Sequence, residues 1–329
     1  MKKRVLSGMQ STGKLHIGNY HGALEHWVKL QDDYNCYFFV ANYHSLTTLY
    51  QNSKEVYENT LQVAIDFLSA GIDPNRSVLF VQSLVPAHAE LHLLLSMFTP
   101  ISWLERVPSY KEKMGNIEFA DLTTYGFLGY PVLQTADIVL YDAHYVPVGE
   151  DQLPHLELAR EVVRRVNHYY GEVFIEPEPL LTPFSRIPGI DGRKMSKSYG
   201  NAIFLGDSDE AIKQQIMNAI TDPARIKRTD PGHPEVCNIF AYHKIYSPEN
   251  LSTIESECRT GKRGCVDCKK ECYRNLIQYL APIKERRKEF EKDRGAVMDI
   301  LREGSKRANE YAISVLNRLR ERMGIMFQG

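Results

Sequence analysis

The apolar positions of this chain follow two different rhythms. Near the start, VLSG (5–8), CYFFVAN (36–42) and SVLFVQS (77–83) are short continuous apolar runs, the pattern of strands buried on both faces. Between them the apolar residues recur at helical spacing. Ile17, Tyr20, Ala23, Leu24, Trp27 and Leu30 share one face, and SKEVYENTLQVAIDFLSAG forms a second helix with Ser53 as N-cap and Gly71 as its stop. Strand, helix, strand, helix, strand predicts an α/β fold with a parallel sheet and crossover helices.

The helical rhythm then takes over. Residues 87–140 read as helices broken by Pro100, Pro108, Gly126 and Pro131, HYVPVGEDQ (144–152) as strand and loop, and LPHLELAREVVRRVNHYYG as another helix. The segment 174–201 is rich in Pro and Gly and is expected to be a long mobile loop. From Ser208 onward only helical patterns remain. This predicts a sheet-based domain over 1–205, with a helical insertion near 87–140, and a helical domain over 206–329. No internal repeat or low-complexity tract interrupts either.

Composition narrows the class. The chain has 329 residues, 43% hydrophobic and 25% charged, which suits two domains and excludes both disorder and a membrane-embedded protein. No run approaches the roughly 20 apolar residues of a membrane span. No apolar stretch follows the basic start MKKR, so no signal peptide is expected and the expected compartment is cytoplasmic. The net charge of −1 hides an asymmetry: from Arg259 to the end there are 18 Lys/Arg against 10 Asp/Glu. A basic C-terminal part suits a polyanionic partner, or simply a solvated helical face.

Two stretches carry candidate chemistry. In SGMQSTGKLHIGNYHGAL a glycine-containing turn joins a strand to a helix, whose N-terminal N–H groups and dipole suit a phosphate. Gly18 removes a side chain where a nucleotide would approach, and His16 and Asn19 add polar groups beside it. In GRKMSKS, Lys194 and Lys197 lie on a loop with Ser196 and Ser198, and two ammonium groups could close over a triphosphate. Each alone also reads as an ordinary βα turn or a basic surface loop.

Together, in this order and separation, the two stretches resemble the signatures of class I aminoacyl-tRNA synthetases: HIGN is similar to HIGH, and KMSKS matches literally. Within the class the chain resembles the bacterial-type tryptophanyl-tRNA synthetases, through Gln10 and Asn19 in GMQSTGKLHIGNY, through YPVLQTADIVLY (130–141) and through VPVGEDQ (146–152), over essentially its whole length. Ser11 departs from the family, which has proline there, and is expected to alter only local stiffness.

The resemblance implies a Rossmann-type catalytic domain, with a C-terminal all-helical domain that reads the anticodon of tRNA(Trp) and last helices that pack back on the catalytic domain. It also implies a homodimer. The implied reaction joins L-tryptophan to ATP as an adenylate, with Mg²⁺ on the phosphates, and then passes the acyl group to tRNA. Gln10, Ser11, Thr12, Gly18 and Asn19 match the ATP-contacting turn. Gly149, Glu150 and Asp151 match the segment that meets adenosine, and Ile187 is a candidate backbone contact to adenine. Lys194, Met195, Ser196, Lys197 and Ser198 match the mobile loop. Lys194 and Lys197, with His16 and a third cation at Lys113, would carry catalysis. Amino-acid choice would rest on Asp137 as acceptor for the indole N–H, since a pocket with a buried acceptor rejects phenylalanine. Leu6, Gly8, Val146 and Val148 would wall the ring, and Tyr130, Gln134, Gln152 and His44 would serve the polar end. Core packing and helix capping are the plainer readings of these same residues.

Two other functions remain open on these residues. A tyrosyl-tRNA synthetase shares a YxxxQxxD segment, but Gln10, Asn19 and GEDQ depart from its pattern. A catalytically silent paralogue acting as an RNA-binding module is opposed by the intact KMSKS and by Gly18.

Five of the six cysteines fall between Cys237 and Cys272. Only Cys265 and Cys268 have the two-residue spacing of a zinc knuckle, so the uneven pattern fits an iron–sulfur cluster as well as zinc. Some bacterial tryptophanyl-tRNA synthetases carry C-x22-C-x6-C-x2-C around a [4Fe–4S] cluster. This chain keeps the last two gaps and shortens the first to x20, which implies Cys237, Cys258, Cys265 and Cys268 as ligands, with Cys272 the rival of Cys237.

Overall fold

A computed structural model describes residues 2–108, 124–181 and 187–326. The chain divides into two compact units, each built from discontinuous segments: Met1–Gly13, His26–Pro183 and Phe290–Gly329 form the first, Lys14–Glu25 and Phe184–Glu289 the second.

The first unit holds a five-stranded sheet, β1 Arg4–Gln10, β2 Asn35–Ala41, β3 Ser77–Val81, β4 Tyr145–Val148 and β5 Glu178–Leu181, in the order β3-β2-β1-β4-β5. Every neighbouring pair is parallel, with Val5 opposite Cys36 and Tyr145, and Tyr145 opposite Glu178. This is the parallel sheet the apolar runs predict, in the Rossmann-type arrangement the resemblance implies. The order reverses between β1 and β4, which pair only through Val5 and Tyr145. The carboxyl ends of those two strands, Gln10 and Val148, therefore flank the switch point where ligands bind in such sheets.

Helices cover the sheet by burying one broad face. Lys54–Ala70 buries Val56, Leu61, Val63, Ala64, Ile65, Phe67 and Leu68, and ends at Gly71. Ser53 stands at its start but makes no side-chain cap bond, so that expected cap is positional only. Tyr125–Val139 and Leu153–Tyr170 contribute instead to a core cluster with Leu6, Phe39 and Phe80 of the strands, which holds none of those Lys54–Ala70 residues. So does the last helix, Arg294–Arg322, through Ala308, Ala312, Val315, Leu316 and Leu319. Its approach to β3 requires Gly304: a Cβ there would stand 1.8 Å from the Leu79 carbonyl oxygen. Ser305 Oγ accepts the Val81 N–H (3.2 Å), and the Arg318 guanidinium bonds the Asp142 carboxylate and donates to Val173 O (2.7 Å).

Three expectations need correction. Gly126 and Pro131 do not break a helix, since both lie within Tyr125–Val139. The segment expected to be one long loop contains β5, the edge strand; EPLL hides it because prolines 177 and 179 read as breakers, and an edge strand tolerates them. The helix beginning at Ile17 is not regular. Residues Tyr20–Leu24 form a π segment between Ile17–Asn19 and Glu25–Leu30, a local widening that often accompanies functional sites.

The second unit is helical from Asp209 onward, with Asp209–Asn218, Asn238–Tyr246, Leu251–Arg259 and most of Cys265–Lys292. Its buried residues include Ile212, Ile216, Ile239, Tyr242, Ile254, Leu276 and Leu280. The segment 14–25 is held there by backbone bonds, Ile17 N–H to Ile203 O and Leu205 N–H to Leu15 O, both 2.9 Å.

Candidate active site

In the first unit, β1 ends at Gln10 and the chain turns through Ser11 and Thr12. Ser11 is fully buried; its N–H and hydroxyl lie 2.7 and 2.9 Å from Ser45 Oγ, which donates to Ala41 O (3.1 Å). A proline here could not donate that N–H, so serine ties the turn to the end of β2 as well as changing its stiffness. Thr12 is exposed. Gly149, Glu150 and Asp151 follow β4 across the switch point, Glu150 and Asp151 exposed in a 3₁₀ turn with Gln152.

Asp137 lies on the helix Tyr125–Val139, and Tyr130, Gln134 and Asp137 fall on one of its faces by their spacing. It is 1% exposed, with side-chain partners on both carboxylate oxygens. His44 Nε2 is 2.7 Å from Oδ2; Gln82 Nε2 donates to Oδ1 at 2.7 Å, and His88 Nδ1 is 2.6 Å from the same oxygen. Burial pushes this carboxyl's pKa up, but His44 and then His88 outweigh it and bring it down to about 2. The carboxylate is thus ionised and shielded from water. Gln82, His88 and Tyr141 were not legible as site residues. Gln82 and His88 lie on other elements with no local motif to mark them, and Tyr141, the last residue of YPVLQTADIVLY, lies past the end of the helix that carries Asp137.

The remaining residues named for the amino-acid pocket divide by environment. Leu6, Val146 and Val148 are buried in the core cluster, and Gly8 sits on β1 beside them. Tyr130 is buried with its hydroxyl 3.1 Å from His155 Nε2, whose Nδ1 is 3.1 Å from Gln152 Oε1. Gln134 is half-buried.

In the second unit, His16 caps the helix that starts at Ile17. Its Nδ1 accepts the Asn19 N–H (3.1 Å), while Asn19 Oδ1 accepts the His16 N–H (3.1 Å). Burial, and then the Lys194 cation, lower its pKa to about 4. The ring is neutral near pH 7, and with Nδ1 accepting, its proton sits on Nε2. Gly18 is required: a Cβ would come within 2.9 Å of His16 Nδ1.

The KMSKS segment lies in the same unit. Met195 and Ile187 are buried, Ser196 is half-buried, and Lys194, Lys197 and Ser198 are exposed. The loop is braced by Asn201, 2% exposed, which accepts the Ser196 N–H (2.8 Å) and donates to Asp191 Oδ1 (2.7 Å) and Lys194 O (3.1 Å). Asn201 was also missed, being the last residue of KMSKSYGN and outside the motif. Lys113 lies outside the described residues.

Cys237, Cys258, Cys265, Cys268 and Cys272 also lie in this unit. Among the described residues no three His, Cys, Asp or Glu side chains are grouped so as to hold a metal ion. The thiols of Cys237, Cys258, Cys265 and Cys268 nonetheless influence one another in every pairing. Burial first, and then these neighbours, raise Cys237 and Cys258 and push Cys268 up to about 12. Cys272 is fully buried, and burial first, then Cys268 and Cys237, raise its pKa. Arg225 donates to Cys265 Sγ (3.6 Å), Arg228 O (2.7 Å) and Arg263 O (2.5 Å), while its buried Nε has no hydrogen-bond partner. His243 Nε2 lies 3.3 Å from Cys268 Sγ. Arg225 thus sets a cationic donor against the Cys265 thiol, with one N–H unused.

Comparison with known proteins brings the two units under one description. Residues 1–281 match the family model "tRNA synthetases class I (W and Y)". The tryptophan–tRNA ligase of Thermotoga maritima is 50% identical over 327 residues, covering 98% of this chain and all of that protein. That of Aquifex aeolicus is 41% identical over 393 residues, with 98% of this chain and all of that protein covered. The crystal structure of tryptophanyl-tRNA synthetase from Campylobacter jejuni, complexed with ADP and tryptophan, superposes with a TM-score of 0.89 at 36% identity, covering 98% of this chain and 99% of that one.

Proposed function

The chain belongs to the class I tRNA synthetases for tryptophan and tyrosine, and on that premise we propose how its residues share the work. The reaction is ATP-dependent activation of L-tryptophan to tryptophanyl-adenylate, with release of pyrophosphate, and transfer of the acyl group to the 3′ end of tRNA(Trp). It needs no protein nucleophile; positioning and charge stabilisation lower the barrier.

The single observation that carries the amino-acid assignment is the buried, ionised Asp137, an acceptor poised for the indole N–H. Leu6, Gly8, Val146 and Val148 line the ring, and Tyr130, Gln134, Gln152 and His44 serve its polar end. Gln10, Thr12, Gly149, Glu150 and Asp151 meet ATP at the switch point, with Ser11 holding the turn. Neutral His16 offers Nε2–H to phosphate beside Gly18 and Asn19. Lys194 and Lys197 neutralise the transferring phosphoryl group and the pyrophosphate, while Met195, Ser196, Ser198 and Ile187 shape the loop around the nucleotide. Lys113 is assigned as a third cation. Mg²⁺ is assigned to the phosphate oxygens, where it keeps most of its water.

The helical second unit is assigned to anticodon binding, supported by the 10 Lys/Arg against 4 Asp/Glu between Arg259 and Glu289. A homodimer is supported by Leu93, Met97, Ile101 and Tyr125, each more than half exposed on the first unit. A [4Fe–4S] cluster is assigned to Cys237, Cys258, Cys265 and Cys268. The mutual influence of these four thiols and the unused Arg225 N–H support it, and Cys272, fully buried, is set aside. When bound, the cluster supplies a cross-link among three segments of the helical unit.

ATP–pyrophosphate exchange with tryptophan, tyrosine and no amino acid tests the amino-acid assignment; exchange driven by tyrosine instead would overturn it. Iron and acid-labile sulfide in anaerobically purified protein test the cluster, and a colourless protein with one zinc would replace it.

A further inference from the structure

Behind Asp137 stands a chain of buried polar groups that the assignments above leave unused. His88, on the helix Ala87–Ser96, has no exposed surface; Nδ1 is 2.6 Å from Asp137 Oδ1, and Nε2 is 2.8 Å from the Tyr141 hydroxyl. Tyr141 is also fully buried, and burial and then the Asp137 charge raise its pKa well above the ordinary phenol value. Its proton therefore stays on and goes to His88 Nε2, since a buried hydroxyl hydrogen finds a partner. With Nε2 accepting, the ring's own proton sits on Nδ1, facing the carboxylate.

Gln82 completes the arrangement. Its Oε1 accepts the backbone N–H of Tyr43 (3.0 Å) and of His44 (3.4 Å), which turns its NH₂ toward Asp137 Oδ1. Oδ1 thus receives two donors and Oδ2 one, from His44. A carboxylate offers about four acceptor positions, so one is left, on Oδ2. Packing alone would favour apolar side chains at 88 and 141, because a buried polar network gains little net stability.

We propose that His88 and Tyr141 are positioning residues for amino-acid selection: Tyr141 sets the tautomer of His88, and His88 saturates Asp137 Oδ1 so that one acceptor position, on Oδ2, remains for the side-chain N–H of the substrate. This rests on Asp137 being the indole acceptor. A carboxylate fixed this way takes a single N–H donor and leaves a costly unpaired acceptor under phenylalanine. Freed to rotate, it would find other partners, and the penalty against phenylalanine would shrink.

The test is ATP–pyrophosphate exchange with tryptophan and phenylalanine for Tyr141→Phe, His88→Leu, His88→Asn and Asp137→Asn, alongside thermal unfolding. Tyr141→Phe and His88→Leu are expected to raise KM for tryptophan roughly tenfold and cut the preference over phenylalanine by a similar factor, with KM for ATP unchanged. His88→Asn keeps a donor near the Nδ1 position and is expected to restore most of the preference. A purely structural role would lower the melting temperature and kcat without moving the preference, and that result overturns the inference. Should His88→Leu fail to fold, Tyr141→Phe, which removes one oxygen, decides the matter. If Asp137→Asn leaves tryptophan KM unchanged, the pocket assignment falls and this inference with it. If Asp137→Asn raises that KM while Tyr141→Phe and His88→Leu leave the preference intact, only this inference falls.

Discussion

Asp137 and the pair Lys194 and Lys197 are charged groups assigned to the same reaction, yet they are housed in opposite ways. The carboxylate is 1% exposed and receives donors from three side chains. The lysines are exposed on a loop whose backbone, not its ammonium groups, is braced by Asn201. The contrast follows from what each must do. Selecting one amino acid needs an acceptor whose partners and direction are settled beforehand, so that a wrong side chain leaves it unpaired. Neutralising a triphosphate needs charge that water keeps stable until the nucleotide arrives, because an unpaired buried ammonium would be costly.

The largest effect expected is at the exposed end of the comparison. Lys197→Ala or Lys194→Ala should cut kcat for exchange by roughly 10²–10³, while the melting temperature stays near that of the parent. A large loss of stability instead would mean that these lysines hold the loop. Next comes Asp137→Ala, expected to weaken tryptophan activation by roughly 1.5–3 kcal/mol. Unchanged tryptophan-dependent exchange in this variant would remove the acceptor role.

Smaller effects lie in pH dependence. The Asp137 carboxyl has a folded pKa of about 2, below its ordinary value. Its contribution to stability is present above about pH 4 and is lost as pH falls toward about 2. Asp137→Asn should flatten urea-measured stability across that window. For His16 the folded pKa is lowered to about 4. The unfolded chain takes the proton first, so stability is full above about pH 6.5 and declines toward pH 4. His16→Asn should remove that slope; an unchanged slope would mean the imidazole is not desolvated in solution. The smallest change in exchange activity is expected from Ser45→Ala, which removes the hydroxyl under Ser11 and should shift KM for ATP a few-fold, in line with one buried hydrogen bond.

How legible all this was in the sequence depended on the range of the interaction. The first three strands are apolar runs, and HIGN and KMSKS are local words whose chemistry sits within a few residues. The capping of Asn19 by His16, three residues apart, belongs to the same kind. β5 was not legible, because an edge strand containing Pro179 carries no alternation to read. The acceptor network was not either. Gln82 and His88 lie 55 and 49 residues from Asp137, and nothing local ties a glutamine after β3 to an aspartate on a later helix.

The sequence by itself determined most of the elements, the family and the nucleotide signatures, since helix periodicity, apolar runs and short motifs are properties of neighbouring residues. Only the tertiary structure decided that the last helix meets the sheet at Gly304, that Ser11 is tied to Ser45, and that Asp137 is held by His44, His88 and Gln82. The physical reason is common to all three. Each is a close approach between segments far apart in the chain, set by how whole elements pack rather than by what any one segment prefers.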